Sequence, residues 1–144
     1  MVMRYRLVAD AAARFADSGR VFHGGAVELV HLSMREASLP TYPTATDILH
    51  AYNTLPDASH LRAGDFVGWL PGTRDASSTD DSEIPLSIDV PEHGGRDGHV
   101  AIYVGRSEDE VFVDCPYPGA PARWVKSYAT PVRIVRPHQL NFDL

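Results

Sequence analysis

The chain has 144 residues, a formal net charge of −6, 44% hydrophobic and 22% charged residues, and one cysteine, Cys115. This is the composition of one globular domain large enough to bury about two-thirds of its unfolded surface, and it excludes a fibrous or disordered chain. No apolar run reaches the ~18–20 residues needed to cross a bilayer, a lone cysteine excludes an internal disulfide or a cysteine-based zinc cluster, and the opening MVMRYRLVAD has no apolar stretch that reads as a secretion signal.

Residues 7–17 predict a helix with Leu7, Val8, Phe15 and the alanines on one side, ended by Ser18-Gly19. Val21-Phe22 is short and apolar. His23-Gly24-Gly25 then turns sharply into a second helix from about Ala26 to Ala37, broken by Leu39-Pro40. Thr44 or Thr46 can cap a third short helix through Ile48, Leu49 and Ala51. From Asp65 the period changes. Asp65–Leu70, His99–Val104, Val111–Cys115, Arg123–Lys126 and Val132–Val135 read as short strands rich in β-branched and aromatic residues. Helices followed by about five strands predict an α+β domain over 1–144, with N-terminal helices packed on one antiparallel sheet.

The charge is concentrated between the first and second of these strands. Residues 71–98 hold Asp75, Asp80, Asp81, Glu83, Asp89, Glu92 and Asp97 against Arg74 and Arg96, so the rest of the chain is near neutral. A loop of this length is either functional or mobile. It reads as a solvated loop, as a lid hinged at Gly94-Gly95 and Gly98, or as a docking surface for a basic protein partner. No basic stripe exists, so nucleic acid is not an expected partner, nor is a membrane.

The chemistry centres on the hairpin. A loop centred between Arg106 and Ser107 pairs Val104 with Asp109 and places His99 directly opposite Asp114. A histidine beside a carboxylate is a general base with the partner that fixes its tautomer. The plainer alternative is that His99 starts a strand and Asp114 caps its end. Alternation along the strand turns Cys115 away from His99, so Cys115 reads as a buried small hydrophobe. A reactive cysteine is favoured at the start of a helix, where the dipole and free N–H groups lower its pKa and can serve an oxyanion. Here that position is Ala26. Glu92, His93, Asp97 and His99 crowd together, but in a glycine-rich stretch without geometry to hold a metal. His23, Gly25 and Trp69 are candidate substrate contacts. For His23 the alternative is a loop histidine without a role, and for Trp69 a core aromatic.

These strings together resemble the NlpC-type cell-wall cysteine peptidases, which have a papain-like fold. Gly24-Gly25-Ala26-Val27-Glu28-Leu29-Val30 is similar to the family's glycine pair followed by Cys-Ser-Gly-Leu-Val; Leu39-Pro40 matches a Leu-Pro break. Leu61-Arg62-Ala63-Gly64-Asp65-Phe66-Val67 resembles Leu-x-Pro-Gly-Asp-Leu-Val, and His99–Gly105 is close to His-Val-Gly-Ile-Tyr-Val-Gly. Val113-Asp114-Cys115-Pro116-Tyr117-Pro118-Gly119 fits the strand that ends in a polar third residue. The resemblance implies His99 as general base, Asp114 as its orienter and Ala26 where the nucleophilic cysteine belongs. It implies a peptidoglycan stem peptide as substrate and no metal or organic cofactor. Val27-Glu28 in place of Ser-Gly, and the acidic insertion, mark a distant branch.

Ala26 has two explanations. Either cysteine is the natural residue and this chain is a catalytic knock-out, or the chain is a natural pseudoenzyme that binds cell-wall peptide or a protein partner. Retention of His99 and Asp114 favours the first. A related thiol hydrolase or acyltransferase, acting as a toxin or phage lysin, is a further reading. Export by a dedicated route, a phage origin, or excision from a longer secreted protein all agree with the absence of a signal sequence.

Overall fold

A computed structural model describes residues 2–55, 58–70, 98–128 and 133–140. The acidic segment, with its lid, docking and metal readings, therefore lies outside the described residues except for Gly98 and His99.

Helix α1 (Val2–Ser18) starts earlier than its apolar period suggests, because nothing before Leu7 breaks a helix. Gly19, at φ +66°, ends it: Gly19 N–H donates to the Ala16 carbonyl (3.1 Å) and Arg20 N–H to that of Phe15 (3.0 Å). Strand β1 (Val21–Phe22) follows, then α2 (Gly25–Glu36) and α3 (Ala45–Ala51). Of the two candidate caps of α3 the chain uses Thr44, whose side chain accepts from Asp47 N–H at 3.0 Å. The buried face of α1 is mostly alanine, which lets α2 approach closely.

Strands β2 (Tyr52–Thr54), β3 (Phe66–Trp69), β4 (His99–Tyr103), β5 (Phe112–Asp114), β7 (Arg123–Val125) and β8 (Arg133–Leu140) form one antiparallel sheet in the order β2-β8-β3-β4-β5-β7. It has six strands rather than about five. Three polar residues directly after a helix give no periodicity, so β2 is silent in the sequence. Strand β8 runs past Pro137 because β3 pairs only with its first part, Arg133–Val135, while its pairing with β2 shifts register. A small second sheet pairs β1 with β6 (Ala120–Pro121).

The sheet has two apolar faces. Phe66, Val100, Ile102, Val113 and Val135 form a core with Val8, Leu29, Val30, Ile48 and Leu49 of the helices. Val67, Ala101, Phe112, Val125 and Ile134 cluster on the other face. A buried ion pair ties the turn before β3 to β8: Arg136 Nε and Nη2 donate to the two carboxylate oxygens of Asp65, both at 2.9 Å.

The hairpin register differs from the expected one. Ile102 pairs with Val113 and Tyr103 with Phe112, so His99 and Asp114 are diagonal neighbours rather than directly opposite. The turn sets this. Val104 N–H and Gly105 N–H both donate to the Val111 carbonyl (2.8 and 3.0 Å), and Ser107 Oγ accepts from Glu110 N–H (3.2 Å), which centres the turn one residue later. Moving the centre by one residue moves the partner by two, and a shift of two keeps both side chains on one face.

Gly68 lies between β4 and β8, where a Cβ would fall 2.0 Å from the His99 carbonyl oxygen and 3.1 Å from Val100 Cα. Both obstacles are backbone and cannot turn aside. Gly68→Ala should lower stability by about 3 kcal/mol in urea unfolding. Gly19→Ala, at a positive φ but with nothing within 4 Å, should cost only about 1 kcal/mol. Equal losses would contradict this packing.

Candidate active site

The glycine pair turns the chain into α2. Gly24 N–H donates to Glu28 Oε1 (2.8 Å), which satisfies a backbone group at the helix start. Gly25 sits at φ +74°, and a Cβ there would meet Pro118 Cγ at 3.3 Å. A side chain is thus disfavoured twice, by backbone conformation and by the loop above. Ala26 is the second residue of α2, so its N–H belongs to the first turn, which has no intrahelical acceptor.

The loop from Cys115 to Ala120 is held over this turn by β1. Phe22 pairs with Ala120, and Gly119 N–H donates to the Phe22 carbonyl at 2.8 Å. Cys115 belongs to the helix-side core and is fully buried. Its thiol lies 3.2 Å from the Tyr117 carbonyl and 3.3 Å from that of Ala120. Burial pushes the thiol pKa up, the reverse of an activated nucleophile.

His99 and Ala26 come from opposite faces of the sheet yet line one cavity of about 380 Å³. His99 is the first residue of β4, reached through Gly98 at φ +87°, so it stands at the end of its strand, where both residues line the cavity. Gly24, Gly25, Cys115, Tyr117 and Pro118 also line it.

His99 Nε2 is 3.0 Å from Asp114 Oδ2, and the two side chains are 3% and 0% exposed. An ionised carboxylate only accepts, so Nε2 carries the proton and donates, which leaves Nδ1 to exchange a proton elsewhere. Two further donors meet the carboxylate: Arg123 Nε at Oδ1 (2.8 Å) and the Tyr128 hydroxyl at Oδ2 (2.6 Å). Burial works against the charge, but the bonds and charges of His99 and Arg123 outweigh it and hold the Asp114 pKa below its ordinary value.

The expected substrate contacts divide. Gly25 lines the cavity; exposed His23 does not. Trp69 is not among the described residues that line it and takes the place of a core aromatic. It pairs directly with His99 across β3–β4, is 3% exposed, and lays its ring 5.0 Å from the imidazole. Tyr128 stands 6.1 Å from the same ring, so two aromatics flank the histidine. Among the described residues no three His, Cys, Asp or Glu come together to hold a metal.

Arg123 and Tyr128 were not read from the sequence. Asp114 and Arg123 are direct cross-strand partners in β5–β7, an opposite-charge pair that the sequence could have signalled. The irregular Pro116–Gly119 turn hides the register between those strands. No sequence signal identifies Tyr128.

Replacing Asp114 by Asn should cost about 3 kcal/mol, the low end for a broken buried pair because Arg123 is partly in water. The pH dependence has a definite sign. Because the folded-state pKa is depressed, this contribution is present in full above the unfolded value of about 3.9 and is lost as pH falls through the lower folded value. Urea midpoints measured from pH 6 downward should therefore fall more steeply below pH ~4 for the parent chain than for Asp114→Asn. Parallel curves would contradict the assignment.

No protein-family model, no curated protein and no solved structure matches this chain.

Proposed function

We propose that the chain has the framework of a thiol-dependent amide hydrolase of the NlpC type, papain-like in fold, with Ala26 in the nucleophile's place. The observation that carries this reading is the common cavity of Ala26 and His99, with His99 backed by a buried, ionised Asp114. With cysteine at position 26, His99 takes the thiol proton and the thiolate attacks the carbonyl carbon of an amide. The oxyanion is met by N–H groups of the first turn of α2, and His99 returns its proton to the leaving amine. Water then cleaves the thioester, with His99 again as base. Asp114 orients the imidazole and stabilises its cation. The substrate class suggested by the sequence resemblance is a peptidoglycan stem peptide.

With alanine at position 26 no acyl-enzyme can form. Ala26 itself therefore favours a second reading, a binding module for cell-wall peptide or a protein partner.

The test is Ala26→Cys in a Cys115→Ser background, assayed on muropeptides by mass spectrometry, with thiol alkylation followed against pH. Serine suits position 115 because its hydroxyl can donate to the same carbonyls. Cleavage is expected, with a thiol pKa below the free value of about 8.5 and a loss of at least ~10³-fold on His99→Ala. An introduced thiol that alkylates like a free one and cuts nothing would favour the binding module.

A further inference from the structure

We propose that Arg123 is a positioning residue that keeps Asp114 ionised, and through it keeps the proton of neutral His99 on Nε2 and the lone pair on Nδ1. The inference rests on His99 acting as the base of the proposed site.

Asp114 is completely buried, and burial by itself favours the uncharged acid. Three groups oppose that. His99 comes from β4, Tyr128 from the segment after β7, and Arg123 from β7 itself. On the other side of the imidazole β3 contributes Trp69, which has no charge. Cys115, next on the chain, belongs to the opposite core. His99 opposes the uncharged acid first, by its hydrogen bond and, when the ring is protonated, by its charge. When the ring is neutral, His99 and the Tyr128 phenol give hydrogen bonds without a net charge. Among the described residues, Arg123 supplies the permanent cation bonded to this carboxylate, at 2.8 Å from Oδ1.

The consequence concerns one proton. If Asp114 takes a proton from solution, its new O–H donates to Nε2 of His99. Nε2 must then be the bare nitrogen, and the single ring proton moves to Nδ1 by exchange with solvent. The ring is still neutral, but Nδ1 no longer has a lone pair for a thiol. Arg123 thus acts on the base without touching it.

The test uses the chain as it is, labelled with ¹³C and ¹⁵N, at pH 7. In the parent the Asp114 Cγ signal should be that of a carboxylate, and His99 should be in the Nε2–H form wherever it is neutral. Arg123→Gln keeps a donor and removes the charge; it should shift Cγ toward the carboxylic acid and raise the Nδ1–H share of neutral His99 at least fivefold. Arg123→Lys should restore both signals. Tyr128→Phe should move them less than Arg123→Gln.

A folded Arg123→Gln chain with parent-like signals would overturn the proposal. Should that variant fail to fold, the parent decides: a Cγ signal that stays with the carboxylate down to pH 5 supports the proposal, and protonation above pH 5 overturns it. None of these signals needs a thiol, so they stand or fall apart from whether Ala26→Cys cleaves anything.

Discussion

A carboxylate placed where water cannot reach it must be bonded on all sides, and Asp114 imposes that condition on this fold. Its three donors come from β4, from β7 and from the segment after β7. The register of β5 with its neighbours therefore has little freedom. A slip of one residue would bring Val113 to the face of His99 and Arg123 and carry Asp114 into the helix-side core. An unpaired charge there costs several kcal/mol, more than most single packing defects. The network thus selects the register and fixes the direction of the imidazole together.

The second wall of the site has a different physical basis. Around Ala26 the geometry depends on the absence of side chains. Gly25 uses a backbone conformation that a Cβ would strain and leaves room for Pro118. The β1–β6 ladder holds that loop in place, with the Cys115 thiol bonded to carbonyls beneath it. The lone cysteine thus helps to hold the loop, while Ala26, the place proposed for a thiol, carries a methyl group. His99 reaches this wall from the far face of the sheet only because it stands at the strand's end.

Much of this was legible in the sequence, for identifiable reasons. Helices with a clear apolar period and strands rich in β-branched residues were visible, as was the glycine turn before α2. The pairing of His99 with Asp114 survived a wrong turn centre, because an error of two residues in partner preserves which face a side chain takes. The sequence left two roles open for Trp69, because an aromatic in a strand gives no sign of whether it faces a cleft or backs a histidine. Arg123 and Tyr128 stayed hidden because their positions depend on an irregular turn and on the chain beyond a strand end. Tyr52–Thr54 showed no periodicity and was missed as a strand.

The account turns on whether His99 can serve position 26 from across the sheet. A crystal structure of the Ala26→Cys chain would measure that directly. The account predicts Sγ of the new cysteine within about 3–4 Å of His99 Nδ1, with Nε2 still bonded to Asp114. A thiol that in every rotamer lies beyond the reach of Nδ1, or an imidazole whose Nδ1 is already bonded to the protein, would contradict it.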